Sequence, residues 1–237
     1  MKRMNDSPTD LLRALINCKS VTPKQAGALD ILQHKLAAAG FAVERMPSGE
    51  VDNLWAHYKN GDDGGDMPKL LFAGHVDVVP PGDIDKWQSA PFIAEERDGF
   101  IYGRGAADMK SAVAAMTIAA MRAAAGGYAG GLALLFTSDE EGAATQGTAH
   151  VVRKLQERGI RIKRCIVGEP TCEHYFGDTI KTGRRGSLSA DINISGIQCH
   201  AAYPHRGDNP IPMLIAALAE CQKQLAAFAD GGGQFPP

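Results

Sequence analysis

Three short apolar runs, each followed at once by ionisable residues, constrain this 237-residue chain more than any other feature. Residues 69–73 (KLLFA) lead into His75 and Asp77, residues 131–136 (GLALLF) into Asp139, Glu140 and Glu141, and residues 164–168 (RCIVG) into Glu169. A continuous apolar run of this length, without polar alternation, suits a strand covered on both faces, as in a parallel sheet. Helical patterns separate the runs: residues 9–20, 24–39 with Gly40 as a stop, the Ala-rich 109–125, and 147–158. Residues 41–46 and 53–58 read as further strands, followed by a loop of turn residues at 59–68. The expected architecture is α/β, a mostly parallel sheet sandwiched by helices over residues 1–179. Beyond about residue 179 the texture changes. Residues 187–196 alternate like a half-exposed strand and 211–228 like an amphipathic helix, so 180–237 is expected to begin a smaller α+β domain.

In an open α/β sheet the carboxyl ends of the strands form the edge where ligands bind. The three runs therefore deliver His75, Asp77, Asp139, Glu140, Glu141 and Glu169 to one edge. Asp108, in YGRGAADMK, enters at the head of the Ala-rich helix. Singly, each has a structural reading: His75 as a strand-end histidine, Asp108 as a helix N-cap, Glu140-Glu141 as a solvated turn. Gathered together, the carboxylates would repel one another unless cations neutralised them. One imidazole with several carboxylates suits zinc or a similar first-row divalent ion, and a bridging carboxylate would suit a two-metal site.

Other chemistries fit less well. A net charge of −2 builds no field for nucleic acid or an anionic membrane. The longest apolar stretch, residues 112–121, is too short to cross a bilayer, and Arg13 and Asn17 interrupt any apolar leader segment. Five cysteines without a CxxC suit free thiols in a reducing compartment, so a cytoplasmic protein is expected. In GRGAAD, Asp108 stands where a dinucleotide fingerprint has its third glycine, and neither GxSxG nor a Walker loop occurs. His200 and His205 are five apart around a proline, which is not a helical metal pair.

The segments GHVDVVPPGD, DGFIYGRGAADMKS, SDEEG, VGEP and GRRGSLSADINISGIQCHAAYPHRGDNP together resemble the dinuclear zinc aminoacylase and carboxypeptidase family. GRGAADMK and GRRGS…HAAYPH are most similar to its branch that removes succinyl groups from diaminopimelate. The resemblance implies a zinc-peptidase-like catalytic domain followed by a lid and dimerisation domain. It implies hydrolysis of N-succinyl-LL-2,6-diaminopimelate to succinate and LL-diaminopimelate, a step toward lysine and the cell wall. The alternatives are a relative acting on another N-acyl amino acid or a peptide, and a short metal-binding form without catalysis.

Carried over by motif, His75, Asp108 and Glu169 would bind one zinc, Asp108 would bridge, and Glu141 would bind the second, with cobalt able to substitute. Asp77 would orient His75, and Glu140 would be the general base. Arg184, Ser187 and Tyr203 would contact the substrate carboxylate, and His200 would steady the oxyanion across a homodimer. Chains of this family continue past the equivalent of GGGQFPP and return with a late histidine for the second metal. Residues 1–237 alone are therefore expected to hold one zinc firmly, a second weakly, and to turn over little.

Overall fold

The computed structural model describes residues 7–59, 68–128, 130–181 and 190–229. The chain divides into two compact units, Met1–Thr171 and Cys172–Pro237, so contacts separate the units somewhat before residue 179.

The first unit is built on a five-stranded sheet in the order β1 (Ala42–Arg45), β2 (Asn53–Tyr58), β6 (Leu132–Thr137), β3 (Leu70–His75), β7 (Cys165–Val167). β6, β3 and β7 run parallel, whereas β2 pairs antiparallel with both β1 and β6. Four strands thus share one direction and β2 alone is reversed, which makes the sheet mostly parallel and mixed.

Alternation along β6 explains how one apolar run serves two cores. Leu132, Leu134 and Phe136 pack with Leu11 and Leu15 of α1 (Pro8–Asn17), Leu29 and Leu32 of α2 (Ala28–Ala38), and Val113 and Ile118 of α3 (Ser111–Ala125). Ala133 and Leu135 face the other way, against Val151 and Leu155 of α4 (Thr148–Glu157). Each large side chain so buried contributes about 1.5–3 kcal/mol. β7 departs from the expected doubly covered run: Ile166 (49%) and Val167 (53%) are exposed, because this strand lies at the edge of the sheet and is held by its pairing with β3 rather than by burial.

Local chemistry sets the helix ends. Ser7 caps α1, its hydroxyl accepting the Thr9 N–H at 3.2 Å. α2 starts at Ala28 rather than at residue 24, because Ala26 (φ 47°) and Gly27 (φ 90°) take left-handed conformations that no α-helix contains. It ends with Gly40 at φ 89°, the stop its sequence predicts. α3 starts at Ser111, since Asp108 (φ −120°, ψ 103°) is extended. A small hairpin, β4 (Glu95–Arg97) and β5 (Phe100–Tyr102), turns on Asp98-Gly99, both at positive φ.

In the second unit, α5 (Pro210–Ala229) forms where a helix was expected. Of the expected strand at 187–196, residues 187–189 lie outside the described residues. Residues 190–196 form no ladder, and the next residue, Ile197, makes one isolated bridge with Asp208. Alternation alone cannot make a strand where no neighbour completes its hydrogen bonds. All five cysteines are free thiols, and no helix among the described residues is long and apolar enough to cross a membrane.

Candidate functional site

The carboxyl ends of β3, β6 and β7 bring one histidine and a set of carboxylates together. His75 closes β3 and is 1% exposed. Its Nε2 lies 3.2 Å from Asp108 Oδ1, 3.5 Å from Glu169 Oε1 and 3.8 Å from Glu140 Oε2. Ligand-type atoms of His75, Asp108 and Glu141 lie within 4.8 Å of one another, and so do those of His75, Glu140 and Glu169. Two triads therefore share His75, one with Asp108 and Glu141 and the other with Glu140 and Glu169, which puts Glu140 among the clustered groups rather than beside them.

Asp77, fully buried, organises this edge. His75 Nδ1 sits 2.8 Å from the Asp77 backbone carbonyl and 3.5 Å from its carboxylate. Donation from Nδ1 to that carbonyl leaves Nε2 free to face the carboxylates. The Asp77 carboxylate accepts the backbone N–H groups of Glu140 (3.2 Å) and Glu141 (3.1 Å). One residue thus sets both the imidazole and the loop that follows β6. Asp139 has a separate task, accepting the N–H groups of Ala144 (3.1 Å) and Gln146 (2.9 Å) and folding that loop back on itself.

Asp108 is not a helix cap. Its extended backbone takes it out of α3, and its carboxylate faces His75. The two residues after it are buried, and residue-by-residue reading missed them. Met109 Sδ accepts the His75 N–H at 3.3 Å. Lys110, without solvent exposure, donates to the Leu15 (2.8 Å) and Cys18 (3.0 Å) carbonyls at the end of α1. The last turn of α1 carries no basic residue of its own, so Lys110 supplies the cation that its dipole favours. The available signal was a lysine at the entrance of an otherwise apolar helix.

The electrostatics fit a cation site. Burial pushes His75 down, but the Asp77 carboxylate and carbonyl and the Glu169 charge outweigh it and hold the imidazole at about 9. Burial raises Glu169 to about 7, against the pull of His75 and with the push of Asp108. Burial and Asp108 likewise raise Glu141. Carboxylates raised by burial and by one another would be eased by a neighbouring cation. Two donor atoms on one tetrahedral zinc sit about 3.4 Å apart, given bonds of about 2.0–2.1 Å. The 3.2 Å and 3.5 Å separations from His75 Nε2 to Asp108 and Glu169 match that spacing. One imidazole and several carboxylates are a donor set for such an ion.

Of the remaining expected residues, Arg184 and Ser187 lie outside the described residues. His200 and Tyr203 belong to the second unit, their rings 5.7 Å apart, with His205 6.2 Å beyond Tyr203.

Residues 71–232 match the description of peptidase family M20/M25/M40. The chain is 51% identical over 235 residues to a succinyl-diaminopimelate desuccinylase of Azoarcus sp. (strain BH72), covering 98% of this chain and 60% of that protein. It is 49% identical over 229 residues to the enzyme of the same name from Phenylobacterium zucineum (strain HLK1), covering 96% of this chain and 58% of that one. The chain thus spans less than two thirds of the length of these relatives. Human carnosine dipeptidase 1 shares the fold at a TM-score of 0.59 and 21% identity, over 70% of this chain and 38% of that structure.

Proposed function

The chain belongs to peptidase family M20/M25/M40, and from that premise we propose that it carries the metal-binding part of an amidohydrolase that splits N-succinyl-LL-2,6-diaminopimelate into succinate and LL-diaminopimelate. The observation that carries this reading is the cluster of Asp108, Glu140, Glu141 and Glu169 around His75. Near-50% identity to desuccinylases supports the choice of substrate. His75, Asp108 and Glu169 would hold one divalent ion, and Asp108 and Glu141 would face a second. The ion proposed is zinc, two per complete subunit, with cobalt able to replace it. Bound there, it would supply Lewis acidity to the scissile carbonyl.

The chain's own groups do the rest. The Glu140 side chain remains 46% exposed, so it can meet a water, take its proton and return that proton to the departing amine. Asp77 keeps Nε2 of His75 directed at the site and keeps Glu140 and Glu141 in step with it. For the second unit we keep the family assignment: Arg184, Ser187 and Tyr203 receive substrate carboxylates, and His200 steadies the oxyanion across a homodimer. The family match supports this, since it extends through these positions to residue 232.

The test is a substrate panel. The zinc-loaded protein, extended to the full length of its relatives, should release succinate from N-succinyl-LL-diaminopimelate faster than it deacylates N-acetylornithine or cleaves a dipeptide. Preference for either of the others would move it to another branch of the family. Failure of that full-length protein to cut any amide would remove the enzymatic reading.

A further inference from the structure

Three segments carry the candidate ligands of the first ion, and all three meet at one side chain that does not face the ion. Met109, fully buried, follows Asp108 directly. A Cβ placed on Gly74, the residue before His75, would overlap Met109 Cε and lie 3.0 Å from Met109 Sδ. A Cβ placed on Gly168, the residue before Glu169, would lie 2.7 Å from Ala112 Cβ, 2.8 Å from Met116 Cε and 3.0 Å from the same Met109 methyl. Gly74 therefore leaves the space into which this thioether fits, and Gly168 leaves room that Met109 shares with Ala112 and Met116. β3 and β7 are neighbours, and the Gly168 N–H donates to the Ala73 carbonyl at 3.2 Å, so the two glycines flank one spot. The sulfur also accepts the His75 backbone N–H at 3.3 Å. From the other side Lys110 ties the same turn to α1.

We propose that Met109 is a positioning residue for the metal site, its thioether keeping Asp108, His75 and Glu169 in mutual register through contacts one residue away from each. This rests on the reading of those three as metal ligands. A thioether suits the task because it is unbranched, polarisable and able to fill an irregular gap between two backbones. Small displacements of one segment would change distances at the site directly, since close-packed interiors transmit strain.

The experiment titrates the 237-residue chain and its variants with zinc by calorimetry, and records the visible absorption of the cobalt(II) form as a report on ligand geometry. Met109→Ala should weaken the first zinc by about tenfold or more, the scale seen when groups supporting ligands are lost, and should change the cobalt spectrum. Met121→Ala removes another buried methionine of the same core, from α3, and serves as the control for general destabilisation. It should lower the melting temperature while leaving zinc affinity and the cobalt spectrum unchanged. Gly74→Ala should weaken zinc binding on its own but lose much of that effect in the Met109→Ala background, where the space is free. If Met109→Ala does not fold, Met109→Leu carries the same expectation.

Zinc affinity and a cobalt spectrum unaltered by Met109→Ala, or an equal loss in Met121→Ala, would overturn the proposal while leaving the metal site standing. An unsubstituted chain that binds no zinc would instead sink the metal reading, and this proposal with it.

Discussion

The carboxylate of Asp77, just beyond β3, accepts the backbone N–H of Glu141, just beyond β6, at 3.1 Å. The same carboxylate accepts the Glu140 N–H at 3.2 Å, so the acidic pair is hung from the segment that presents His75. Asp77→Asn would set an amide against these donors and lose the charge that strengthens the bonds. Charge-assisted bonds of this kind are worth about 1.5–3 kcal/mol each when lost. The variant should lose stability on that scale and bind zinc about 10–100-fold more weakly, read by denaturant unfolding and calorimetry. A variant with parental zinc affinity would show that the pair needs no such support.

The metal-free chain should become less stable as pH rises. His75 goes from 6.5 to about 9 on folding and Glu169 from 4.5 to about 7. Both are raised, so each contribution is complete below the unfolded value and is lost as pH climbs through the folded one. For His75 the loss falls between about 6.5 and 9 and is on the order of 3 kcal/mol. A bound divalent ion needs neutral imidazole and ionised carboxylate, so zinc binding near neutral pH should release protons. Melting curves from pH 5 to 9 with and without zinc, and titrations in buffers of differing ionisation enthalpy, check both statements. A metal-free melting temperature that rises over this range would reverse the argument.

Glu140 and Glu141 stand side by side in sequence, yet their proposed tasks differ. Glu140→Gln should leave zinc binding nearly intact and, in protein extended to the full length of its relatives, lower turnover by about 10²–10⁴-fold, the span of a lost general base. Glu141→Gln should weaken metal binding first. His75→Ala should abolish tight binding of the first ion. Equal metal loss in both glutamate variants would mean that the neighbours share one role.

The parts of this molecule that were legible in sequence are those where one residue's surroundings are local. LALLF reads as a doubly buried strand because every side chain in it is apolar, and the structure buries all of β6. His75 and Glu169 read as site residues because each directly follows such a run or its closing glycine. The reversal of β2 was not legible, since an apolar run carries no direction; its pairing with β6 decides it. Nor was Asp108 legible alone. A cap and an extended ligand-like residue look the same until Met109 and Lys110 are seen anchored to partners 34 and 95 residues away. The destination of the Asp77 carboxylate likewise depends on a loop 63–64 residues further on.

Lys110 offers a test of how that anchor works. Its ammonium donates to the Leu15 and Cys18 carbonyls, closing the end of α1, while burial lowers it to about 8. It also stands at the N-terminal end of α3, where a cation meets the positive end of the dipole, so α3 itself does not favour it. Lys110→Met keeps the length and removes the charge. Each carbonyl would retain one backbone donor, Cys18 N–H on Leu15 and Ser20 N–H on Cys18, and the costly burial of a charge would end. The net loss should therefore sit at the low end of the range for lost charged bonds, about 1–2 kcal/mol. Because the lost contacts belong to α1, amide hydrogen exchange should speed up at the end of that helix, with β6 changing only as far as global stability does. A variant more stable than its parent would show that desolvation of the ammonium outweighs what it gives to α1, and Lys110 would then be held there for the sake of the Asp108 turn alone.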